Sequence, residues 1–323
     1  MNEVLLQLRK EIEQAILDLE LPKDPANLYD PMKYILSLGG KRIRPLMTLL
    51  GGRLYGVSSA ECMSQAMAVE VFHNFTLVHD DIMDSADVRR KLPTVHKKWD
   101  HNIALLSGDG MMIYAYQILV KAPSDRLPDL LEVFSSTAME VCEGQQKDMD
   151  YAMEAEVHLD QYMEMIRQKT AVLLGGAMQL GAIMGGAPKS DLAQIQEFAE
   201  NLGLAFQIMD DFLDSFGSKE DFGKQIGGDI KEGKNTWLKI RAYDDASETQ
   251  LTRLKEAFAN NDIDERISDV LALYKEIEVD RKAEQEIARL SDASLSALEQ
   301  LRGDEATKHE LKSLVNYLMG RTS

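Results

Sequence analysis

The chain has 323 residues, 45% of them hydrophobic, and a formal net charge of −18. This length can hold one large core or two ordinary domains. The negative charge argues against nucleic acid as a partner, because a phosphate backbone attracts Lys and Arg. No Gly- or Ser-rich linker divides the sequence, so we expect a single domain over residues 1–323.

Apolar residues recur at spacings of three and four along most of the chain, which predicts helices. In chain order the predicted helices cover residues 4–19, 31–38, 45–55, 59–84, 103–121, 127–142, 158–185, 189–216, 236–243 and 248–260, with several more in the last sixty residues. Alternating β-branched runs typical of strands are absent. We therefore predict an all-α fold, a single-domain helical bundle around a central cavity.

The sequence also bears on location. The first residues, MNEVLLQLRKEIEQ, carry Glu and an amphipathic rhythm, unlike a signal peptide. The longest nearly apolar segment, residues 171–187, contains Gln179 and five glycines. It is shorter than the ~20 apolar residues that span a bilayer. Cys62 and Cys142 lie outside any CxxC pair, which favours buried, reduced thiols. We expect a cytoplasmic protein without a transmembrane segment.

Two acidic segments share one spacing. Residues 77–90 read LVHDDIMDSADVRR and residues 206–214 read FQIMDDFLD, so DDxxD occurs twice, each time at the end of an apolar helix. The first and last Asp of each DDxxD share a helix face, where like charges repel. No basic residue lies within either cluster. Mg²⁺, which prefers carboxylate, water and phosphate oxygens, would resolve the repulsion.

Three alternatives to a magnesium site account for these acids less well. A solvated helix end with chance acids would explain one DDxxD, but two copies at the ends of apolar helices argue against it. An EF-hand loop needs Gly at its sixth and Glu at its twelfth position, and DIMDSADVRRKL has neither. A His-Asp metallohydrolase needs more histidines near the cluster than His73 and His79.

Basic residues that would complete a phosphate site surround the acids. GGKRIRP at residues 39–45 places three cations after a glycine pair, before a helix whose first residue could be Pro45. Lys169-Thr170 interrupts an apolar helix. Residues 216–237 hold five glycines and four lysines, which predicts a mobile flap. The cations considered are Lys41, Arg42, Arg44, Arg89, Arg90, Lys169, Lys219, Lys224, Lys231 and Lys234.

One stretch of the predicted flap imitates a different motif. GDIKEGK at residues 228–234 satisfies G-x-x-x-x-G-K, but the next residue is Asn235 instead of Ser or Thr, and no strand is predicted before it. We therefore reject a P-loop.

Taken as a set, these motifs resemble the trans-isoprenyl diphosphate synthases, also called polyprenyl synthetases. The matching elements are GGKRIRP, HNFTLVHDDIMDSADVRR, GQQKDMD, FQIMDDFLD and GGDIKEGKNTW, and the last eighty residues carry no motif. The resemblance implies an all-α prenyltransferase fold and a homodimer. It also implies a transferase of the short-chain farnesyl or geranylgeranyl diphosphate synthase type, which condenses isopentenyl diphosphate with an allylic diphosphate.

The resemblance further implies a role for each matching position. Three Mg²⁺ ions would be bound by Asp80, Asp84 and Asp210, with support from Asp81, Asp211 and Asp214. The allylic diphosphate and the cation it leaves would face Arg89, Lys169, Thr170, Gln207, Lys224 and Lys234. Isopentenyl diphosphate would be held by Lys41, Arg44, His73 and Arg90. Gln145 and Asp148 would lie behind these groups.

Product length would depend on Phe75 and Thr76, which precede Asp80 by about one helical turn, ~5.4 Å. One is aromatic, the other small, and the first DDxxD has no two-residue insertion. This pattern resembles enzymes that make C15 or C20 products, and we favour C20. The alternative is that Phe75 is simply part of the core.

Two other functions stay open on the sequence. A class I terpene cyclase also uses DDxxD and Mg²⁺, but it needs no second diphosphate pocket, and GGKRIRP, His73 and Arg90 would supply one. A non-catalytic partner subunit of a prenyl synthase should have lost its aspartates, and both sets are present here.

Overall fold

The structure is a computed structural model that describes residues 1–154, 156–217 and 227–320. Helices dominate it, which confirms the predicted all-α class. In chain order they are α1 (Glu3–Leu17), α2 (Ala26–Ser37), α3 (Ile43–Leu54), α4 (Ser59–Met83), α5 (Val95–Lys98), α6 (His101–Leu119), α7 (Leu127–Met153), α8 (Leu159–Ile166), α9 (Val172–Met184), α10 (Lys189–Phe216), α11 (Gly228–Glu232), α12 (Trp237–Asp245), α13 (Glu248–Ala259), α14 (Ile263–Glu276), α15 (Val279–Gln300) and α16 (Glu305–Leu318).

Two small elements were not predicted. An antiparallel hairpin, β1 (Val88–Arg89) with β2 (Leu92–Pro93), follows α4. Strands of two residues are too short to show an alternating pattern. A π-helical turn, π1 (Arg167–Ala171), separates α8 from α9, so the predicted helix over residues 158–185 is not one regular α-helix.

Several predicted helix ends differ from the structure for physical reasons. Pro45 is the third residue of α3, not the first. The first four N–H groups of a helix have no partner inside it, so the missing N–H of Pro is tolerated there too. Pro31 lies inside α2, which begins earlier than predicted. α7 continues past Cys142 to Met153 because the residues that follow include the strong helix formers Gln, Lys and Met.

The described chain consists of two compact units, each built from separate segments. The first comprises Met1–Ser136, Gly176–Ile195 and Leu301–Leu314. The second comprises the described residues within 137–175, 196–300 and 315–320. The predicted single domain over the whole chain stays a prediction.

The core of the first unit is centred on α4, which packs against α3 and α6. The ring of Phe72 meets that of Phe134 edge to face at 5.4 Å. Near its end, α9 packs closely against the backbone of α3. A Cβ on Gly181 would lie only 1.9 Å from the Thr48 carbonyl oxygen. The absence of a side chain at Gly181 therefore permits this close packing.

The core of the second unit surrounds α10 and α14. Phe198 of α10 is fully buried, and its carbonyl accepts a hydrogen bond from the Ser294 hydroxyl at 2.8 Å. Nearer the end of α10, the ring of Phe216 packs against Phe212 and Tyr274. This packing holds the second acidic segment on a rigid helix.

The two cysteines differ in exposure. Both thiols are free, and Cys62 is buried as predicted. Cys142 is exposed, so the prediction that it is buried was wrong. Its neighbour Val141 takes the buried position, because successive helical residues point in different directions. Across the ranges that the structure describes, we find no helix with the length and apolarity needed to cross a membrane.

Candidate active site

The first acidic segment forms the last turn of α4. Asp84 is the C-cap residue, and its N–H donates to the carbonyl of Asp80 at 2.9 Å. Asp81 is buried, whereas Asp80 is partly exposed and Asp84 is exposed. The three carboxylates predicted to bind metal therefore do not share one environment.

Arg89 reaches back onto these carboxylates from the hairpin. Its Nε lies 2.9 Å from both oxygens of Asp81, and its Nη2 lies 3.6 Å from Asp80 Oδ2. Burial raises the pKa of Asp81, and the hydrogen bond and charge of Arg89 oppose that rise. Although no basic residue interrupts the cluster in sequence, the hairpin supplies one in space.

Arg42 in the GGKRIRP segment is a structural residue. It adopts a left-handed conformation, φ 54°, and its side chain is buried. The guanidinium donates to Glu70 of α4, to Glu13 of α1 at 3.0 Å and to the Leu36 carbonyl at 2.8 Å. The cations of this segment thus differ in burial and partners, a distinction that spacing alone did not reveal. Arg42 anchors the segment, whereas Lys41 is exposed.

Arg44 and His73 form a direct contact, with Nη1 of Arg44 3.1 Å from Nε2 of His73. Desolvation lowers the pKa of His73 well below its ordinary value, and the charge of Arg44 lowers it further. The ring is therefore neutral and its Nε2 accepts. Desolvation lowers the pKa of Arg44 to about 10, with Arg90 acting in the same direction.

Arg90 completes this positive cluster. A Cβ on Gly40 would lie 2.7 Å from Nη2 of Arg90, so the glycine lets the guanidinium rest against the backbone. The Gly40 carbonyl also accepts from Arg9 at 3.1 Å, a basic residue that sequence analysis did not single out. Arg44, His73 and Arg90, all predicted to hold isopentenyl diphosphate, are thus brought together in the first unit.

The second acidic segment contains two buried anchors. Asp211 accepts hydrogen bonds from the Tyr162 hydroxyl at 2.6 Å, the Trp237 N–H at 3.0 Å and Gln207 at 3.4 Å. Burial raises the pKa of Asp211 to about 7, against the opposing effect of the first two bonds. Tyr162 and the Trp237 N–H were not predicted, although Trp237 ends the GGDIKEGKNTW motif.

Asp214 is the other anchor. Its Oδ2 accepts from the Asp229 N–H at 2.9 Å, and its carbonyl accepts from the Gly227 N–H at 2.7 Å. Asp214 therefore secures the start of α11. Asp210 immediately precedes Asp211 on α10. It is more exposed than either Asp211 or Asp214.

Lys169 and Thr170 lie in π1, within the second unit. Lys169 Nζ donates to Asp148 Oδ2 at 2.6 Å, and the predicted supporting role of Asp148 stays a prediction. Thr170 Oγ1 lies 3.4 Å from Gln207 Oε1. Gln145, the other residue predicted to support this group, lies on α7 one turn before Asp148.

The predicted flap over residues 216–237 is only partly described. Lys219 and Lys224 lie outside the described residues, so their predicted roles stay predictions. Lys234 lies 2.9 Å from Glu232 and 3.8 Å from Asp229. Gly227 and Gly233 flank α11 with φ of 81° and 69°, which only glycine adopts readily.

Phe75 and Thr76 lie on α4 one turn before Asp80. Phe75 is buried, with its ring 5.5 Å from Phe72 and 4.8 Å from His79. The Thr76 hydroxyl donates to the His73 carbonyl at 2.8 Å. The role of Phe75 in product length stays a prediction.

The donor set suits a hard divalent ion that it shares with phosphate. Among the described residues, no three Asp, Glu, His or Cys side chains are grouped closely enough to enclose a metal by themselves. Mg²⁺ seldom needs such a cage, because it keeps waters and binds through one or two carboxylates together with substrate phosphates. In the first unit the more exposed carboxylates of Asp80 and Asp84 fit that mode, and in the second unit that of Asp210 does.

Comparisons with known proteins agree with this chemistry. The sequence profile described as polyprenyl synthetase matches residues 25–277. A geranylgeranyl diphosphate synthase from Methanosarcina mazei is 39% identical over 235 residues, which are 72% of each chain. A crystal structure of a geranylgeranyl pyrophosphate synthase is 43% identical with a TM-score of 0.95, covering 100% of both chains. A Corynebacterium glutamicum geranylgeranyl pyrophosphate synthase, solved with isoprenyl diphosphate and magnesium, is 25% identical with a TM-score of 0.82, covering 98% of this chain and 96% of its own.

The chain belongs to the polyprenyl synthetase family. The comparisons confirm the predicted family, the all-α fold and the transferase class of a short-chain prenyltransferase. They also support the use of a divalent metal. The number of ions, the homodimer and the role of each site residue stay predictions.

Proposed function

We propose that the enzyme condenses an allylic diphosphate (dimethylallyl, geranyl or farnesyl) with isopentenyl diphosphate to give a C15 or C20 prenyl diphosphate. One observation carries the proposal. Arg44, His73 and Arg90 form a positive cluster against the Gly40 backbone, and Arg89 of the same unit pairs instead with Asp80 and Asp81 of the first acidic segment. Two diphosphate sites are what a condensation of two diphosphates requires.

The positive cluster fits isopentenyl diphosphate, whose head group stays intact during the reaction. Arg44 and Arg90 supply permanent charge, and their proximity to each other is unfavourable until an anion lies between them. Neutral His73 accepts from Arg44 and so orients its guanidinium fork toward the anion. Exposed Lys41 adds a further charge at the entrance. Isopentenyl diphosphate held in this way would present its double bond to the allylic carbon.

The allylic diphosphate must instead depart. Asp80, Asp84 and Asp210 would hold three Mg²⁺ ions, which when bound supply positive charge that stabilises the leaving diphosphate. Arg89 and Lys169 each already pair with a carboxylate, Asp81 and Asp148, and are thus held in place to donate to the departing oxygens. Thr170 and Gln207 would offer oxygen atoms to the nascent cation, and Lys224 and Lys234 of the predicted flap would add charge.

The apolar length of α4 suits the hydrocarbon tail. Water would quench an allylic cation, so the surroundings of the tail must exclude it. Phe75 would close the path about one turn from the metal ligands and limit growth. The geranylgeranyl names of the relatives above support the choice of C20 over C15.

A second copy of the chain is the proposed partner. On α6, Leu106, Ile113 and the C-cap Val120 recur every seven residues with exposed fractions of 61%, 57% and 47%. An exposed apolar stripe of this kind marks an interface. We propose a homodimer that covers it, located in the cytoplasm.

The test is turnover that depends on both substrates. Purified protein with Mg²⁺ should release diphosphate from the allylic substrate only when isopentenyl diphosphate is present, and mass spectrometry should show products lengthened by five carbons per step. Release of diphosphate with a cyclic hydrocarbon and no need for isopentenyl diphosphate would indicate a terpene cyclase. No release with any of the three allylic substrates would indicate a non-catalytic subunit.

A further inference from the structure

The π-helical turn π1 is in contact with α7 at a glycine. A Cβ on Gly144 would lie 2.3 Å from the Lys169 backbone nitrogen and 2.7 Å from the Gln168 carbonyl carbon. Real Cβ atoms essentially never approach so closely, and both atoms belong to the backbone, which a rotamer change cannot move. Gly144 therefore permits the contact that determines where the backbone of Lys169 lies.

A second glycine meets the other end of the same turn. A Cβ on Gly203 of α10 would lie 2.6 Å from the Ala171 Cβ and 2.7 Å from its Cα. π1 is thus confined between α7 at Gly144 and α10 at Gly203. All these residues belong to the second unit.

Polar contacts tie the side chains of π1 to the same two helices. From α7, Glu140 accepts from Arg167 at 3.1 Å, Glu143 from Gln168 at 2.9 Å and Asp148 from Lys169 at 2.6 Å. From α10, Glu200 accepts from Arg167 at 2.8 Å and Gln207 lies 3.4 Å from the Thr170 hydroxyl. Each of the first four residues of the turn has a partner on a neighbouring helix.

A π-turn needs such external support. Its Val172 N–H donates to the Arg167 carbonyl, five residues back, so the turn holds one residue more than an α-helical turn. π-turns of this kind are rare and are often found at functional sites. Without contacts that favour it, the segment would relax toward the regular α-helix and rotate Lys169 and Thr170 away from their present directions.

We propose that Gly144 and Gly203 are positioning residues for the prenyl transfer: they stabilise the π-turn that aims Lys169 and Thr170 at the allylic diphosphate. This inference rests on the proposed function. It assigns a role in the GQQKDMD motif to its glycine, in addition to the roles of Gln145 and Asp148. It also adds a residue of α10 that precedes the second acidic segment.

The test is Gly144→Ala, assayed separately against each substrate. The new Cβ must displace the Lys169 backbone, and a misplacement of about 1 Å near the chemistry can cost about 10²-fold in rate. We expect a loss of that order in kcat/KM for the allylic substrate, with the KM for isopentenyl diphosphate unchanged. An equal change for both substrates, or a wild-type rate, would overturn the proposal.

Gly51→Ala is the matched control. Its Cβ would lie 2.1 Å from the Met178 carbonyl oxygen, an equally severe backbone clash within the first unit. General destabilisation should lower the melting temperature of both variants. Of the two variants, only Gly144→Ala should lower kcat/KM for the allylic substrate while leaving the KM for isopentenyl diphosphate unchanged. If Gly51→Ala shows the same separation, the effect is one of stability and the proposal is wrong.

A double variant tests whether Gly144 acts through Lys169. If it does, the fold-loss of Gly144→Ala/Lys169→Ala should be clearly smaller than the product of the two single losses, because groups that act as a unit are not additive, and any loss beyond that of Lys169→Ala comes from Thr170, which the same turn positions. Additive losses would contradict the proposal. If Gly144→Ala does not fold, Gly203→Ala and the exposed Glu143→Ala provide the same comparison, with a smaller loss in the same direction expected for Glu143→Ala.

The condensation activity and the role of the two glycines are tested by different results. If the wild-type enzyme does not condense the two diphosphates, the proposed function is wrong. If it does, and Lys169→Ala is impaired while Gly144→Ala and Gly203→Ala behave as wild type, only the role of the glycines is wrong.

Discussion

The aspartates of the two acidic segments divide into two kinds according to their burial and partners. Asp81, Asp211 and Asp214 are buried, and their oxygens accept from Arg89, from Tyr162 and Trp237, and from the Asp229 N–H respectively. Asp80, Asp84 and Asp210 are more exposed. At the scale of single residues, we therefore expect the first group to organise the local structure and the second to bind metal.

Asp80→Ala and Asp210→Ala should each lower turnover by about 10²-fold or more, because each removes a hard oxygen ligand where charge develops. Their melting temperatures should change less than that of Asp211→Ala, because both side chains are more exposed than Asp211. Asp211→Ala is the contrasting variant. It should lower the melting temperature clearly, because it leaves buried donors unpaired. Full turnover of Asp80→Ala or Asp210→Ala at saturating Mg²⁺ would be incompatible with metal binding there.

Arg44→Ala should raise the KM for isopentenyl diphosphate more than the KM for the allylic substrate. It removes a charge-assisted contact to one diphosphate only and frees the His73 ring. Steady-state kinetics with each substrate varied in turn would measure the difference. Arg53→Ala, at the other end of α3, is the control and should change neither KM. If Arg44→Ala impairs only the allylic substrate, the two diphosphate sites have been interchanged.

At the scale of elements, α4 combines two tasks along its length. Its middle packs into the core of the first unit, and its last turn carries the acidic segment. Arg42 joins α4 to α1 through Glu70 and Glu13, so the GGKRIRP segment is held at a defined height on α4. Phe75 lies between the core-packing middle of α4 and its acidic last turn. It is buried, and it is about one turn from Asp80.

Phe75→Ala should therefore lengthen the products by one or more five-carbon units while activity is retained. If the ring limits the cavity, its removal opens space for a longer tail. If the ring is only core, the change should cost about 3–5 kcal/mol of stability and leave product length unchanged. Phe72→Ala is the matched control, because Phe72 contacts Phe75 yet is more deeply buried. It should lose stability without longer products.

An unchanged product length in folded, active Phe75→Ala would place the limit elsewhere. Met111 of α6, Met112 of α6 and Leu173 of α9 are then the next positions to substitute, and of these Met111 and Leu173 are buried.

At the scale of the whole molecule, the exposed stripe of α6 predicts self-association. Ile113→Glu places a charge in the middle of the stripe and should shift the enzyme from dimer to monomer, as measured by light scattering coupled to size-exclusion chromatography. Leu17→Glu, at an exposed apolar position of α1 outside the stripe, should leave the dimer intact. A wild-type monomer at micromolar concentration, or an Ile113→Glu dimer, would refute the proposed interface.

The sequence by itself determined the class of this protein. Apolar residues at helical spacing identified an all-α fold. The paired DDxxD segments with GGKRIRP identified the family, because these motifs carry the chemistry in short, contiguous stretches. Helix ends were less accurate, as Pro31 and Pro45 show, because a cap depends on the local backbone geometry and not on the residue alone.

Only the tertiary structure decided which partners residues of similar sequence context have. Spacing places Asp210, Asp211 and Asp214 on one helix face, but the partners that distinguish them, Tyr162 and Trp237, come from distant parts of the chain. The same holds for Arg42, which is buried and donates to Glu70. It also holds for Arg89, which donates to Asp81 because the hairpin folds back onto α4. The π-turn is invisible to periodicity, because contacts from α7 and α10, not its own residues, stabilise the extra residue.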